Sequence, residues 1–186
     1  MQNRIIQAAH FAREAHKNQT RKYSGDPYIF HPMRVASKTM MLYYSTEELV
    51  CAAYLHDVIE DCGVTQNEID YIFGSTVGHY VSCLTNVSKK HPEYNREQRK
   101  RMDREHLALI PRECRSIKLI DRIDNCLDIP WNESFAKLYF EETKLLLGAL
   151  RNSDPDLVNE LSEIITKYEN LKLLSDNTKE DRLSPF

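Results

Sequence analysis

Apolar residues recur at helical spacing along almost the whole chain, and the alternation that marks a half-buried strand is nearly absent. With 5 glycines in 186 residues, there are few places where that pattern can break. The pattern predicts an all-α protein, and the length suits one domain with a sizeable core. Helices are expected over about residues 2–18, 32–43, 45–62, 65–73, 76–88, 95–110, 112–128, 134–152 and 155–173. On the first of these, Ile5, Ile6, Ala9, Phe11, Ala12 and Ala15 are expected to face inward. Ser24-Gly25-Asp26-Pro27 signals a turn, and Pro32 suits the first turn of the second helix. Ser45 or Thr46 caps the third, with Glu47 and Glu48 in its first turn. Thr65 with Glu68 resembles a capping box, and Gly74, Pro111 and Pro130 act as stops. Residues 175–186 are polar and read as a frayed tail behind a domain of residues 1–174.

Bulk properties exclude several classes. A net charge of -3 provides no global basic field for nucleic acid. No apolar stretch approaches the roughly 20 residues that span a bilayer, so no membrane association is expected. The N-terminal MQNRIIQAAHFAREAHK is amphipathic and lacks the apolar run of a signal peptide. Cys51, Cys62, Cys83, Cys114 and Cys126 are scattered, odd in number and free of CxxC. They read as reduced, mostly core thiols of a cytoplasmic protein.

Against this background one run stands out, YLHDVIED. The preceding Leu49-Val50-Cys51-Ala52-Ala53-Tyr54-Leu55 reads as a buried helix, so His56-Asp57 and Glu60-Asp61 emerge directly from the core. Unpaired charge there is costly, which argues for a partner such as a metal ion. His56 and Glu60 are four apart, as are Asp57 and Asp61, so both pairs share one face of a continuous helix. Three carboxylates near a helix C-terminus also oppose the macrodipole, which again suggests a nearby cation.

Two further residues match this chemistry. His31 lies in YIFHPMRVA, and Asp121 lies in IKLIDRIDN amid an apolar stripe. Taken singly, His31 reads as a helix N-cap, and Asp121 as a partner of Lys118 or Arg122. Together with His56 and Asp57 they form a set of two imidazoles and two carboxylates, which suits Mn²⁺, Fe²⁺ or Zn²⁺ better than Ca²⁺ or Mg²⁺. Glu60 and Asp61 are then placed to handle a water and a leaving group. Arg21-Lys22, on the loop leading to His31, reads either as an ordinary basic loop or as a binder of phosphate or base. The cation-rich segment from Lys89 to Arg104 reads mainly as a solvated face, with one or two side chains able to reach a phosphate. Asn125, four after Asp121, suits a hydrogen bond to a sugar hydroxyl. Tyr139 reads as core. Met40-Met41 and Trp131 read as core or interface filler.

QTRKYSGDPYIFHP, LHDVIED, an FG followed by a helix ending in LT, and KLIDRIDN together resemble the hydrolase domain of the RelA/SpoT homologue family. They are most similar to its stand-alone small alarmone hydrolases (Mesh-type), within the HD metallophosphohydrolase superfamily. The resemblance spans about residues 5–150. It implies a single HD-domain helical bundle holding one Mn²⁺ through His31, His56, Asp57 and Asp121. It further implies water activation by Glu60 and Asp61, base recognition by Arg21 and Lys22, and substrate contacts by Asn125 and Tyr139. The implied activity is removal of the 3′-pyrophosphate of the nucleotide (p)ppGpp, with no synthetase; a homo-oligomer is compatible with it. At Leu127-Asp128 many members carry Arg and often Thr. Losing a cation and gaining a carboxylate there keeps other substrates in view, namely ppApp and the 2′-phosphate of NADPH. A non-catalytic HD binding module is a third reading, which predicts loss of ligands that are all present.

Overall fold

The computed structural model describes residues 3–183, with side chains through residue 175. In chain order the helices are α1 (Arg4–Ala15), α2 (Phe30–Met40), α3 (Glu47–Leu55), α4 (Val58–Asp61), α5 (Gln66–Phe73), α6 (Ser75–Leu84), α7 (Arg96–Leu107), α8 (Arg112–Asp128), α9 (Ala136–Leu150) and α10 (Pro155–Leu183). A 3-10 turn, Val87–Lys90, leads toward α7. Among the described residues the extended pairing is one isolated antiparallel bridge, Thr20 to Pro27.

Local chemistry sets most boundaries. Asn3 caps α1 by accepting from the Ile5 amide at 2.9 Å. Thr46 caps α3 through the Leu49 amide, which settles Ser45 or Thr46. Thr65–Glu68 and Asn95–Gln98 are reciprocal capping boxes at α5 and α7. Gly74 separates α5 from α6 with φ +88°, a conformation that a side chain would strain.

The core is built on α3 and α8. Leu49 to Ala53 and Leu55 are buried, as are Cys114, Ile117, Leu119, Ile120 and Ile123. Helix α3 packs against α1, α2 and α6, while α8 packs against α2, α9 and α10. The metal-ligand candidates therefore project from the most buried layer of the molecule. All five cysteines are free, and all but Cys62 are buried.

Several expectations need correction. The helix expected over 45–62 is broken at His56-Asp57. His56 Nδ1 takes the Ala53 carbonyl at 2.8 Å, the acceptor that the Asp57 amide would use in an uninterrupted helix. Asp57 consequently sits at φ −103°, ψ −7°, in the sparsely populated bridge region. On α1, Ala12 is buried and Ile5, Phe11 and Ala15 pack against the core as expected, but Ile6 is exposed and Ala8 is buried instead. Met40, Met41 and Trp131 are exposed rather than core. The last helix continues through Ser175 as far as Leu183, well past the expected end; residues 184–186 of the expected tail lie outside the described residues.

Candidate metal centre

His31, His56 and Asp121 come from α2, the α3–α4 junction and α8. One ligand atom from each lies within 4.8 Å of the others. Both imidazoles are almost fully buried, and their rings meet edge to face at 5.1 Å. His31 is not a helix cap; Ile29 holds that position and makes no side-chain cap bond.

The tautomers follow from the partners. His31 Nδ1 faces Asp124 Oδ2 at 2.6 Å, and His56 Nδ1 faces the Ala53 carbonyl. A carboxylate and a carbonyl only accept, so each Nδ1 donates. Both Nε2 atoms are left buried without a hydrogen-bond partner, and they point into the same space. Asp121 Oδ1 lies 3.2 Å from His31 Nε2 and 3.9 Å from His56 Nε2. Asp57 Oδ2 lies 3.0 Å from His56 Nε2 and 3.6 Å from His31 Nε2. Two buried nitrogen lone pairs facing two carboxylates are consistent with a divalent metal site, anchored as metal-binding histidines are, through the opposite ring nitrogen.

The electrostatics point the same way. Burial opposes a charge on His31, but the adjoining Asp121 and Asp124 carboxylates, with the charge of Asp57, outweigh it and push its pKa up to about 9. Burial would raise Asp121, yet Lys118 and the two histidines hold it well below the carboxylate range. Asp57 is lowered against its burial chiefly by His56. Asp124, also against burial, is brought to about 2 by His31 and Arg34. The centre thus keeps its carboxylates charged, and a divalent cation competes directly for the place of the imidazolium proton.

Asp121 divides its oxygens: Oδ2 pairs with Lys118 at 2.8 Å, as one reading of the sequence expected, while Oδ1 faces the histidines. Tyr28 donates its hydroxyl to Asp57 Oδ2 at 2.7 Å and packs at a tilt against the His16 ring. Tyr28 and Asp124 are anchors that sequence reasoning missed. Their signals were present: Tyr28 lies three residues before His31, and Asp124 lies in the same apolar stripe as Asp121.

Above the centre opens a cleft of about 410 Å³. Arg21, Lys22, Asn125 and Tyr139 all line it, with Asp57 and Asp121 at its base. Arg21 is nearly buried and tied down, its Nε 3.0 Å from Asp128 Oδ2 and its Nη2 2.8 Å from Asn125 Oδ1. Asn125 donates onward to Asp121 Oδ1 at 2.5 Å. Asp128, at the departure from the family pattern, therefore engages Arg21. Lys22 sits over Tyr23 and Phe135, and Tyr139 lies under the Arg122 guanidinium at 4.6 Å. Two cations of the Lys89–Arg104 segment, Arg96 and Lys100, also reach the cleft. Glu60 is half-buried on α4, where its carboxylate accepts from the Asn86 amide at 2.7 Å and from Nδ2 at 2.8 Å. Asn86 in turn lines the cleft. Asp61 is more exposed and faces Lys89 at 3.4 Å.

This fold and centre define a class, and the chain belongs to the HD-domain family, whose model matches residues 8–143. Within that family it is a homologue of small (p)ppGpp hydrolases of the MESH1 type. It is 30% identical over 171 residues to the guanosine-3′,5′-bis(diphosphate) 3′-pyrophosphohydrolase MESH1 of Danio rerio, covering 86% of this chain and 91% of that protein. The Xenopus tropicalis protein of the same name is 33% identical over 168 residues, covering 86% and 92%. A solved structure described as a metazoan orthologue of SpoT that hydrolyses ppGpp superposes with a TM-score of 0.79 at 26% identity, covering 90% of this chain and 96% of that one. No helix of the described residues is long and apolar enough to cross a membrane.

Proposed function

We propose that this protein hydrolyses the 3′-pyrophosphate of (p)ppGpp to GDP or GTP plus pyrophosphate, using Mn²⁺ held by His31, His56, Asp57 and Asp121. The observation that carries the reading is the pair of buried, unpartnered Nε2 atoms facing Asp57 and Asp121 at the base of a cation-lined cleft. A divalent cation bound there supplies concentrated positive charge that polarises phosphoryl oxygens and acidifies water.

The chain's own residues do the rest. Arg21 and Lys22 hold the base, Arg21 braced by Asp128 and Asn125. Asn125 and Tyr139 border the nucleoside. Glu60 and Asp61 handle the water: each Glu60 oxygen keeps a second lone pair beyond its bond to Asn86. In the hydrolysis, the oxygen of one water bonds to the phosphorus attached to the ribose oxygen, and that P–O bond breaks. Its electron pair stays on the ribose oxygen, which gains a proton, and diphosphate departs carrying the water's oxygen.

The test is direct. Mn²⁺-loaded protein incubated with ppGpp should yield GDP and pyrophosphate in equal amounts. No product, with bound metal confirmed, sinks the reading. A second reading keeps the chemistry and changes the substrate to ppApp or the 2′-phosphate of NADPH. The Asp128–Arg21 pair favours keeping it, because that cation is already matched by a carboxylate. A preference for ppGpp below about tenfold in a competition panel, or ~1.4 kcal/mol, would select it.

A further inference from the structure

Helix α4 is a single turn, and it carries both carboxylates assigned to the water. Two main-chain bonds close it, from Asp61 N to the Asp57 carbonyl at 2.9 Å and from Cys62 N to the Val58 carbonyl at 3.1 Å. The last carbonyls of a helix have no acceptor role within it and need partners from outside. Lys89 Nζ donates to the Glu60 carbonyl at 2.7 Å, and Gln19 Nε2 donates to the Asp61 carbonyl at 2.9 Å. Glu60 has a further brace, because Asn86 holds its carboxylate. The more exposed Asp61 carboxylate faces Lys89 at 3.4 Å, so its place depends more on how the turn itself is held.

Gln19 is oriented in its turn. Its Oε1 accepts from Nδ1 of the buried His16 at 2.7 Å. A main-chain carbonyl only accepts, so the amide nitrogen must face Asp61 and the amide oxygen His16. His16 packs against Tyr28, and the Tyr28 amide donates to the Gln19 carbonyl. Tyr28 and Gln19 thus stand together at the foot of the loop that carries Arg21. Tyr28 holds Asp57, the residue before α4, and Gln19 holds Asp61, its last residue. The pair brackets the turn from end to end. Thr20 and Arg21, next in sequence, line the cleft, so Gln19 joins that wall to α4.

We propose that Gln19 is a positioning residue for Asp61: oriented by His16, it fixes the end of α4 against the loop that carries Arg21 and so sets the place of the Asp61 carboxylate. The inference rests on the hydrolase reading above and on its assignment of Asp61 to the water. Gln19 acts through the turn, so its loss should appear in kcat rather than in KM or metal affinity.

Two measurements on the full chain test it. Gln19→Met deletes both polar bonds at similar length, and Gln19→Glu keeps the acceptor for His16 while losing the donor to Asp61. In each, kcat for ppGpp per bound Mn²⁺ should fall about fivefold, with KM and Mn²⁺ affinity within about twofold of wild type. Without substrate, hydrogen exchange at the Asp61 and Cys62 amides, read by NMR, should quicken about fivefold in both variants, while the amides of α3 stay within about twofold. Thermal melts check that each variant folds, and Gln19→Glu carries the test if Gln19→Met does not. Unchanged kcat, unchanged exchange at Asp61 and Cys62, or a loss that falls on KM or metal affinity instead overturns the proposal. If the wild type does not cleave ppGpp, the hydrolase reading fails by itself, and the exchange comparison then decides whether Gln19 holds the turn.

Discussion

The base of the cleft and its walls are built on different principles. At the base, each histidine is anchored by a partner that offers it no alternative: a buried carboxylate for His31 and a main-chain carbonyl for His56. Asp57 and Asp121 are likewise held, by Tyr28 and by Lys118 and Asn125. Along the walls, side chains hold one another in opposite-charge pairs, Arg21 with Asp128 and Arg96 with Glu142. A substrate phosphate or base can displace such a partner, whereas nothing entering the cleft can replace the Ala53 carbonyl. The base is therefore preorganised and the walls are exchangeable, which suits fixed chemistry on a variable nucleotide.

Breaking the base should cost most. His56→Ala removes a ligand candidate and leaves its carboxylate neighbours facing one another, so metal uptake and turnover should both fall below detection. Elemental analysis and a product assay check this. Asp124→Asn leaves every ligand candidate in place but weakens the anchor of His31. Metal affinity should fall about 10–100-fold in a chelator competition. A variant that holds metal as well as wild type would show that His31 needs no such anchor. Tyr28→Phe deletes one hydroxyl donor to Asp57, worth about 1 kcal/mol, or roughly fivefold in kcat/KM.

The walls should respond more gently. Asp128→Asn removes the charge facing Arg21, and KM should shift by about threefold, with a changed salt dependence. An effect as large as that of Asp124→Asn would erase the distinction between base and walls. At the outer edge, Lys89→Ala loses, from a half-exposed side chain, a hydrogen bond to the Glu60 carbonyl at 2.7 Å and a contact with Asp61. Its unfolding free energy should change by no more than about 0.5 kcal/mol in a urea titration.

Much of the base was legible in the sequence because charged or imidazole side chains in apolar stripes have few explanations. His31, His56 and Asp121 were found that way, although they lie on separate elements. The helices were legible from spacing and caps, as at Thr65–Glu68. The break at His56-Asp57 was not, since no glycine or proline marks it; a side chain competing for a carbonyl does, and that competition exists only once the rotamer is set. The walls were legible as residue types but not as pairs. Arg21 and Asp128 are far apart in sequence, and only the packing of the loop against α8 reveals that one answers the other. Glu60 stood out as a carboxylate, but its engagement with Asn86 depends on how α4 meets the segment after α6.

The bridge between Thr20 and Pro27 has a consequence for how this site can diversify. Arg21 N bonds to the Asp26 carbonyl at 2.8 Å and Tyr28 N to the Gln19 carbonyl at 2.9 Å, flanking that bridge. The loop is thus a closed clasp with the cleft-lining Arg21 on one limb and the Asp57 anchor Tyr28 just past the other. Lengthening its tip around Ser24-Gly25 leaves both limbs in register, whereas inserting a residue within either limb shifts the cleft wall at Arg21 and the anchor of Asp57 together. Tolerance to insertion should therefore drop sharply between the tip of this clasp and its hinge.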